Sequence, residues 1–308
     1  MFKKIMFATT ASPSCDHAAR VAFNMAENYD SDLSVFHVLG IPSQGYSMDV
    51  IDSRTGERVS YDKDYAQWVV EEMKNTYAKL MEKYSNCTLE ALPGVPHTEI
   101  SRYARKNNID LIVMGASSKD EESESPAVHR KFAGSTLQAV AKSARCPVLV
   151  VGRPAASFWG GFSNIVFATD FSKSADSAFM FARKISKALG CKLHVFHAFD
   201  ISGMHAGKIM EQYEIEDKMR AAREKIRSKY LPGLRDIDDY EIAVWEGIPY
   251  VEIVKYTREN YADLIVMAHH TREPDSEKVK LGSTLEQVVL RATCPVASVN
   301  RPDKIKDM

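Results

Sequence analysis

The chain repeats itself with a period close to half its length. Phe7-Ala8-Thr9-Thr10-Ala11-Ser12 returns as Phe167-Ala168-Thr169-Asp170-Phe171-Ser172, and Ser34-Val35-Phe36-His37-Val38 returns as His194-Val195-Phe196-His197-Ala198, both displaced by 160 residues. The order holds to the end: Asp110-Leu111-Ile112-Val113-Met114 matches Asp263-Leu264-Ile265-Val266-Met267, Gly134-Ser135-Thr136-Leu137 matches Gly282-Ser283-Thr284-Leu285, and Arg145-Cys146-Pro147-Val148 is echoed by Thr293-Cys294-Pro295-Val296. So long a period is a duplicated domain, since solenoid repeats run about 20–50 residues. The 308 residues therefore divide into two units of ordinary domain size.

Composition narrows the function classes. A formal net charge of −1 leaves no basic footprint for nucleic acid. The apolar run at Met1–Phe7 meets polar Thr9, Thr10 and Ser12 too early for a signal peptide or a membrane span, so the reading is a cytoplasmic protein. Five cysteines, none in a Cys-x-x-Cys pair, argue against a disulfide framework.

Each half alternates strands with helices. Apolar runs ending in small polar residues predict buried strands at Lys4–Thr9 and Asn164–Thr169. The helices that follow place Ala18, Val21, Ala22 and Met25, and likewise Ala178, Phe181, Ala182 and Ile185, on one face. Second strands are predicted at Asp32–Leu39 and Lys192–Phe199, then long helices through Tyr65, Val69, Met73, Tyr77, Leu80 and Tyr84 and through Ile215, Met219, Ala222, Ile226 and Tyr230. Third strands, Thr88–Leu92 and Glu241–Trp245, run into Gly94-Val95-Pro96 and Gly247-Ile248-Pro249, whose prolines suit the first turn of a helix. Fourth strands at Leu111–Met114 and Leu264–Met267 precede a variable loop and a helix opening at Gly-Ser-Thr, and fifth strands fall at Val148–Val151 and Val296–Val299. The expectation is an α/β protein of two tandem doubly wound, five-stranded parallel-sheet domains. They span residues 1–152 and 164–301, with a short Gly/Pro/Ala-rich linker at 153–163. The last strands would be exposed apolar edges in isolated domains, so the halves are expected to pair through them.

The motifs "IVFATDFS", "GIPYVEI", "DLIVMA" and "GSTLEQVVLRATCPV", with their first-half counterparts, resemble the universal stress protein family in its tandem form. The resemblance covers almost the whole chain. It implies a Rossmann-like, adenine-nucleotide-binding type of domain, stress-associated regulation, and pairing of domains through last strands; a homodimer and an unidentified protein partner are compatible with it. It does not imply an enzyme. ATP or AMP is the implied ligand, with magnesium only in nucleotide's company and no membrane or nucleic-acid partner.

In members that bind ATP, an Asp after the first strand holds the adenosine part, backbone at the end of the second strand meets the base, and a Gly-x2-Gly-x9-Gly-Ser/Thr loop takes the phosphates. Glycines let backbone approach oxygen, and helix N-termini favour negative charge. Carried over, the first-half set is Thr10, Val38, Gly115, Ser118, Gly134, Ser135 and Thr136, with Thr10 in place of the Asp, Ser118 in place of a glycine, and a long insertion from Lys119 to Ala133. The second-half set is Asp170, Ala198, Ala268, Thr271, Gly282, Ser283 and Thr284, which keeps the Asp but replaces both early glycines. If Ala268 must adopt a left-handed backbone, the strain is roughly 1 kcal/mol. Losing the Asp costs about 1.5–3 kcal/mol. Asp120, Glu121, Glu122 and Glu124 would also repel phosphates in the first half. The second half is thus the better candidate, although His269 and His270 crowd its phosphate position.

Plainer roles compete. Gly-Ser-Thr is an ordinary helix start, Asp170 could cap the next helix, and Cys146 and Cys294 read as small buried apolar residues. His194, His197, His205, His269 and His270 could meet at the top of the second sheet, but they lack metal-ligand spacing, and His197 matches His37 in the repeat. There is no Ser/His/Asp order, no Walker lysine and no paired carboxylate set, so the sequence offers no catalytic residue even for slow ATP hydrolysis. A nucleotide-sensing regulator and a non-nucleotide, chaperone-like scaffold remain as alternatives.

Overall fold

In the computed structural model, the described residues are 1–40, 49–51, 56–116, 134–152, 161–200, 210–269 and 283–300. The first half runs β1 (Lys4–Thr9), α1 (Asp16–Tyr29), β2 (Asp32–Gly40), β3 (Asp49–Ile51), β4 (Arg58–Ser60), α2 (Lys63–Lys83), β5 (Cys87–Gly94), α3 (Pro96–Lys106), β6 (Leu111–Gly115), α4 (Ser135–Ser143) and β7 (Val148–Val151). The second runs β8 (Asn164–Ala168), α5 (Lys173–Leu189), β9 (Lys192–Phe199), α6 (Gln212–Tyr230), β10 (Tyr240–Glu246), α7 (Pro249–Glu259), β11 (Leu264–Ala268), α8 (Ser283–Arg291) and β12 (Val296–Val299).

All of these strands join one sheet. Its path is β10-β9-β8-β11-β12-β7-β6-β1-β2-β3-β4, with β5 paired to β2. Within each half the main ladders are parallel. The halves meet where β7 and β12 pair antiparallel, with Val150 opposite Val296, Leu149 opposite Ala297 and Val148 opposite Ser298. Neither apolar edge is left bare, which is the outcome two such edges demand.

Strand side chains alternate between two cores, as the period of two requires. Ile5 and Phe7, with Ile165 and Phe167, pack on one face under α1, α2, α5 and α6. Met6 and Ala8, with Val166 and Ala168, pack on the other under α3, α4, α7 and α8. The predicted apolar stripes of α1 and α5 are buried at every position named above.

The first strand of each half, β1 and β8, is clamped at its start. The Asp110 carboxylate accepts the backbone N–H groups of Lys3 and Lys4, and Asp263 accepts those of Ser163 and Asn164. The glycines before α3 and α7 are obligatory: a Cβ on Gly94 would lie 2.4 Å from Glu99 Cγ, and one on Gly247, where φ is 140°, would lie 2.7 Å from Glu252 Oε1.

Two short antiparallel strands, β3 and β4, extend the sheet beyond β2. The periodicity did not predict them, because three-residue strands are too short to display an alternation. All five cysteines are free thiols. Among the described residues, no helix is long and apolar enough to cross a membrane.

Candidate functional site

The strand order of each half reverses between its first and fourth strands, β1/β6 and β8/β11. In doubly wound sheets the crevice outside the carboxyl ends of the strands at such a reversal is where ligands bind. Thr10 and Asp170 directly follow β1 and β8, while Gly115 and Ala268 end β6 and β11. Val38 and Ala198 are buried near the ends of β2 and β9, and the ladder between β8 and β9 stops at Ala168 opposite Phe196, two residues before Ala198. The fold therefore places Thr10, Val38 and Gly115, and likewise Asp170, Ala198 and Ala268, at or near the carboxyl ends of their strands. Ser118, Thr271 and Gly282 lie outside the described residues, as does the side chain of Ser283.

A matched frame shapes the floor of each crevice. In the first half the Thr9 hydroxyl lies 2.6 Å from the Tyr77 hydroxyl and accepts the Ala11 N–H, while His37 Nδ1 donates to the Thr9 carbonyl at 2.8 Å. In the second, Thr169 meets Tyr230 at 2.7 Å, accepts the Phe171 N–H at 3.0 Å, and its carbonyl accepts from His197 Nδ1 at 2.8 Å. A carbonyl can only accept, so both imidazoles carry their proton on Nδ1. Burial pulls the His197 pKa down, against the opposing bond to Thr169, and pushes that of Tyr230 up to about 12. Ala11 and Phe171 close the turns with φ of 56° and 63°. In the sequence Thr9 and Thr169 are strand ends and Tyr77 and Tyr230 helix-stripe residues; their recurrence in the repeat is the signal for a shared role, and only the fold shows that they meet.

The two crevices differ at the next residue. Thr10 is drawn into a hydroxyl cluster, 2.8 Å from Ser12 Oγ and 3.3 Å from Cys15 Sγ. Asp170 is exposed, and its Oδ1 accepts the Ser172 N–H at 2.9 Å. The helix cap is Ser172, whose hydroxyl accepts the Ala175 N–H at 3.1 Å, so Asp170 shapes the turn and leaves capping to its neighbour. Two cations contact the neighbouring Phe171. Lys225 sits 4.4 Å above the Phe171 ring, which packs 4.5 Å from His197, and Lys229 donates to the Phe171 carbonyl and pairs with Asp176 at 2.7 Å.

At the phosphate end, Ala268 is not left-handed, nor is Gly115. Both continue their strands, opposite Val299 and Val151, so the strain anticipated for Ala268 does not arise. Several backbone donors at this end are engaged within the fold. The N–H groups of Ala116 and His269 already donate to Val151 and Val299, and that of Gly134 to Ala116. The N-cap of α4 is Gly134, with no side-chain bond, and Ser135 and Thr136 are its first helical residues. His269 is buried where the first half has Ala116.

His194 and His197 do not gather. His194 belongs to the opposite face of β9 from His197, with Nδ1 2.9 Å from the Tyr256 hydroxyl, and burial lowers its pKa. Among the described residues, no group of three His, Cys, Asp or Glu is placed to hold a metal. His205 and His270 lie outside them.

Comparison with known proteins agrees with this architecture. The profile described as the universal stress protein family matches residues 1–152 and again 161–300. A universal stress protein of Methanocaldococcus jannaschii is 32% identical over 161 residues, covering 50% of this chain and 84% of its own length. One from Thermus aquaticus is 30% identical over 139 residues, covering 45% and 98%. The crystal structure of a universal stress protein from Archaeoglobus fulgidus superposes with a TM-score of 0.62 at 20% identity, covering 97% of each chain. The duplicated sheet, the twice-built Thr/His/Tyr frame and the two matched segments have one reading: the chain belongs to the universal stress protein family, in its tandem form.

Proposed function

We propose that the chain is a stress-response regulator that binds an adenine nucleotide, weakly, in the second-half crevice. The observation that carries this reading is Asp170, an exposed carboxylate at the point of strand-order reversal. One of its oxygens is fixed by the Ser172 N–H, which orients the other for a ribose hydroxyl. Ala198 would offer backbone to the base, and Ala268, Thr271, Gly282, Ser283 and Thr284 would border the phosphates. Engagement of the His269 N–H by Val299 supports little reward for a third phosphate. The first-half set, Thr10 with Val38, Gly115, Ser118, Gly134, Ser135 and Thr136, is the weaker site, because Thr10 offers no charge and its hydroxyl is engaged. We take the domains as 1–152 and 164–301 with 153–163 between them, the compartment as the cytoplasm, any magnesium as arriving with nucleotide, and a further homodimer as compatible with the fold.

Calorimetry with AMP, ADP and ATP tests the reading. Binding of all three within about tenfold, or ~1.4 kcal/mol, is expected. A larger preference for ATP would show a loop that grips phosphate. The second reading, a scaffold without nucleotide, is favoured by the buried imidazole of His269 at the mouth of the crevice. Absence of binding to any of the three, and of nucleotide released from freshly purified protein in mass spectrometry, would establish the scaffold instead.

A further inference from the structure

The two halves part company on the side of α7 and α8. There a cleft of 580 Å³ opens, lined by Tyr250, Val251, Val254, Lys255, Arg258, Glu259 and Arg291. None of these residues belongs to the nucleotide crevice.

The first half supplies an internal control. The positions matching Val254 and Arg291 in the repeat are Ser101 and Ser143, whose hydroxyls meet at 2.7 Å and tie α3 directly to α4. In the second half this tie is gone. Val254 has no hydroxyl to offer, and Arg291 turns onto the Tyr250 ring with its guanidinium 5.0 Å from the centroid, bonded to Gln287 on its own helix. Tyr250 and Val251 stand where the first half has polar His97 and Thr98. The divergence has thus replaced a closed polar seam with an apolar floor flanked by cations.

The charge on the walls is one-sided. Lys255, Arg258 and Arg291 face a single carboxylate, Glu259, and among the described residues neither Lys255 nor Arg258 forms an ion pair. Lys255 lies 5.1 Å over the Trp245 ring. Bringing three cations together over exposed valine costs free energy through repulsion and through hydrated apolar surface, and an anion with an apolar body relieves both. The volume falls in the range of small-molecule sites, about 300–1,000 Å³, which are apolar with a few convergent polar groups. The Arg291 guanidinium beside the Tyr250 ring, with Arg258 on the same cleft, suits a planar ligand bearing a carboxylate, phosphate or sulfonate.

We propose that this cleft is a binding site for a small amphiphilic anion, a flat apolar body carrying one anionic group, separate from the nucleotide crevice. The apolar body rests on Val251, Val254 and Tyr250, and Arg258 and Arg291 hold the anionic group.

The test uses the full-length protein and two fluorescent probes, anilinonaphthalene sulfonate and the uncharged phenylnaphthylamine. One saturable sulfonate site is expected. Arg258→Gln and Arg291→Gln should each weaken it about tenfold, while Arg105→Gln, the position matching Arg258 in the first half, leaves it unchanged; binding of the uncharged probe should change less than about twofold. Restoring the first-half seam with Val254→Ser and Arg291→Ser together should abolish the site. Arg258 is exposed, so its variant carries the test even if changes at Arg291 disturb folding. Failure to saturate up to about 1 mM, or sulfonate binding that survives the Arg258→Gln/Arg291→Gln double change, would overturn the proposal. So would amide shifts on α7 and α8 produced by an acidic leucine-containing peptide but not by the dye, since the groove would then serve a polypeptide.

Discussion

Gln138 on α4 donates its side-chain amide to Glu286 on α8 at 3.3 Å, and these two residues occupy the same place in the two copies. The pseudo-two-fold axis that relates the halves therefore passes between a glutamine and a glutamate, both buried. Close by, Asn300 donates to the Ala141 and Lys142 carbonyls at the end of α4, and the α-carbon of Gly152 lies so near α8 that a Cβ there would be 2.4 Å from the Val289 carbonyl oxygen.

Removing either partner deletes this buried bond. Glu286→Leu is expected to destabilise the protein by about 0.5–1.5 kcal/mol, the net worth of a typical hydrogen bond, and Gln138→Leu/Glu286→Leu should cost less than the sum of the two single changes. Urea titrations of the two single variants and the double variant close the cycle; strict additivity would show that the pair is not coupled.

Separately expressed halves expose β7 or β12. Each should dimerise or aggregate at high concentration, because four consecutive buried residues on either strand lose their cover. Two well-behaved monomers in ultracentrifugation would contradict this.

Asp170→Ala and Ser172→Ala separate ligand contact from helix capping. The first should weaken nucleotide binding while leaving unliganded stability within about 0.5 kcal/mol, as for an exposed residue. The second should cost about 1 kcal/mol without ligand, because it removes the cap of α5. Thermal melts with and without AMP read both; loss of stability in Asp170→Ala alone would assign Asp170 a structural role.

Acid should destabilise the protein partly through His194. The ring is buried beside the Tyr256 hydroxyl, with Lys192, Glu241 and Asp239 facing it, and burial together with Lys192 depresses its pKa. The unfolded chain then binds the proton more readily. The contribution is intact above the ordinary histidine value of about 6.5 and is lost as pH falls towards the lower folded value. His197 contributes in the same direction. His194→Ser, which copies Ser34 of the first half, should lose less stability than wild type between roughly pH 7.5 and 5.5. An unchanged slope would remove His194 from the account.

The end of α1 carries a strain that the second copy avoids. Asp30 is left-handed with φ of 49°, where α5 has Gly190 at φ of 67°. Asp30→Gly is expected to stabilise by about 0.5–1 kcal/mol, measured as an upward shift in melting temperature.

The sheet was legible because duplication prints every core strand twice, so an ambiguous apolar run such as Val148–Val151 is confirmed by Val296–Val299. The stripes of α1 and α5 were legible for the same reason. The β3–β4 pair has no second copy and too few residues to show a period. At the site, the sequence could identify Asp170 but could not show that Ser172 takes the cap, since both residues are good N-caps and only geometry chooses between them. The backbone of Ala268 was likewise out of reach, because alanine at a strand end is compatible with either sign of φ until the ladder to Val299 is seen. The α7–α8 cleft escaped notice because a paired serine and its valine/arginine replacement are both unexceptional on helix surfaces.

Because β7 and β12 run in opposite directions, the carboxyl ends of the parallel strands emerge at opposite margins of the common sheet. A macromolecule docked over one crevice has no line of sight to the other. The molecule is Janus-faced, and wear on Thr10 at one margin need not compromise Asp170 at the other. Duplication in this orientation gives selection two surfaces that can change independently.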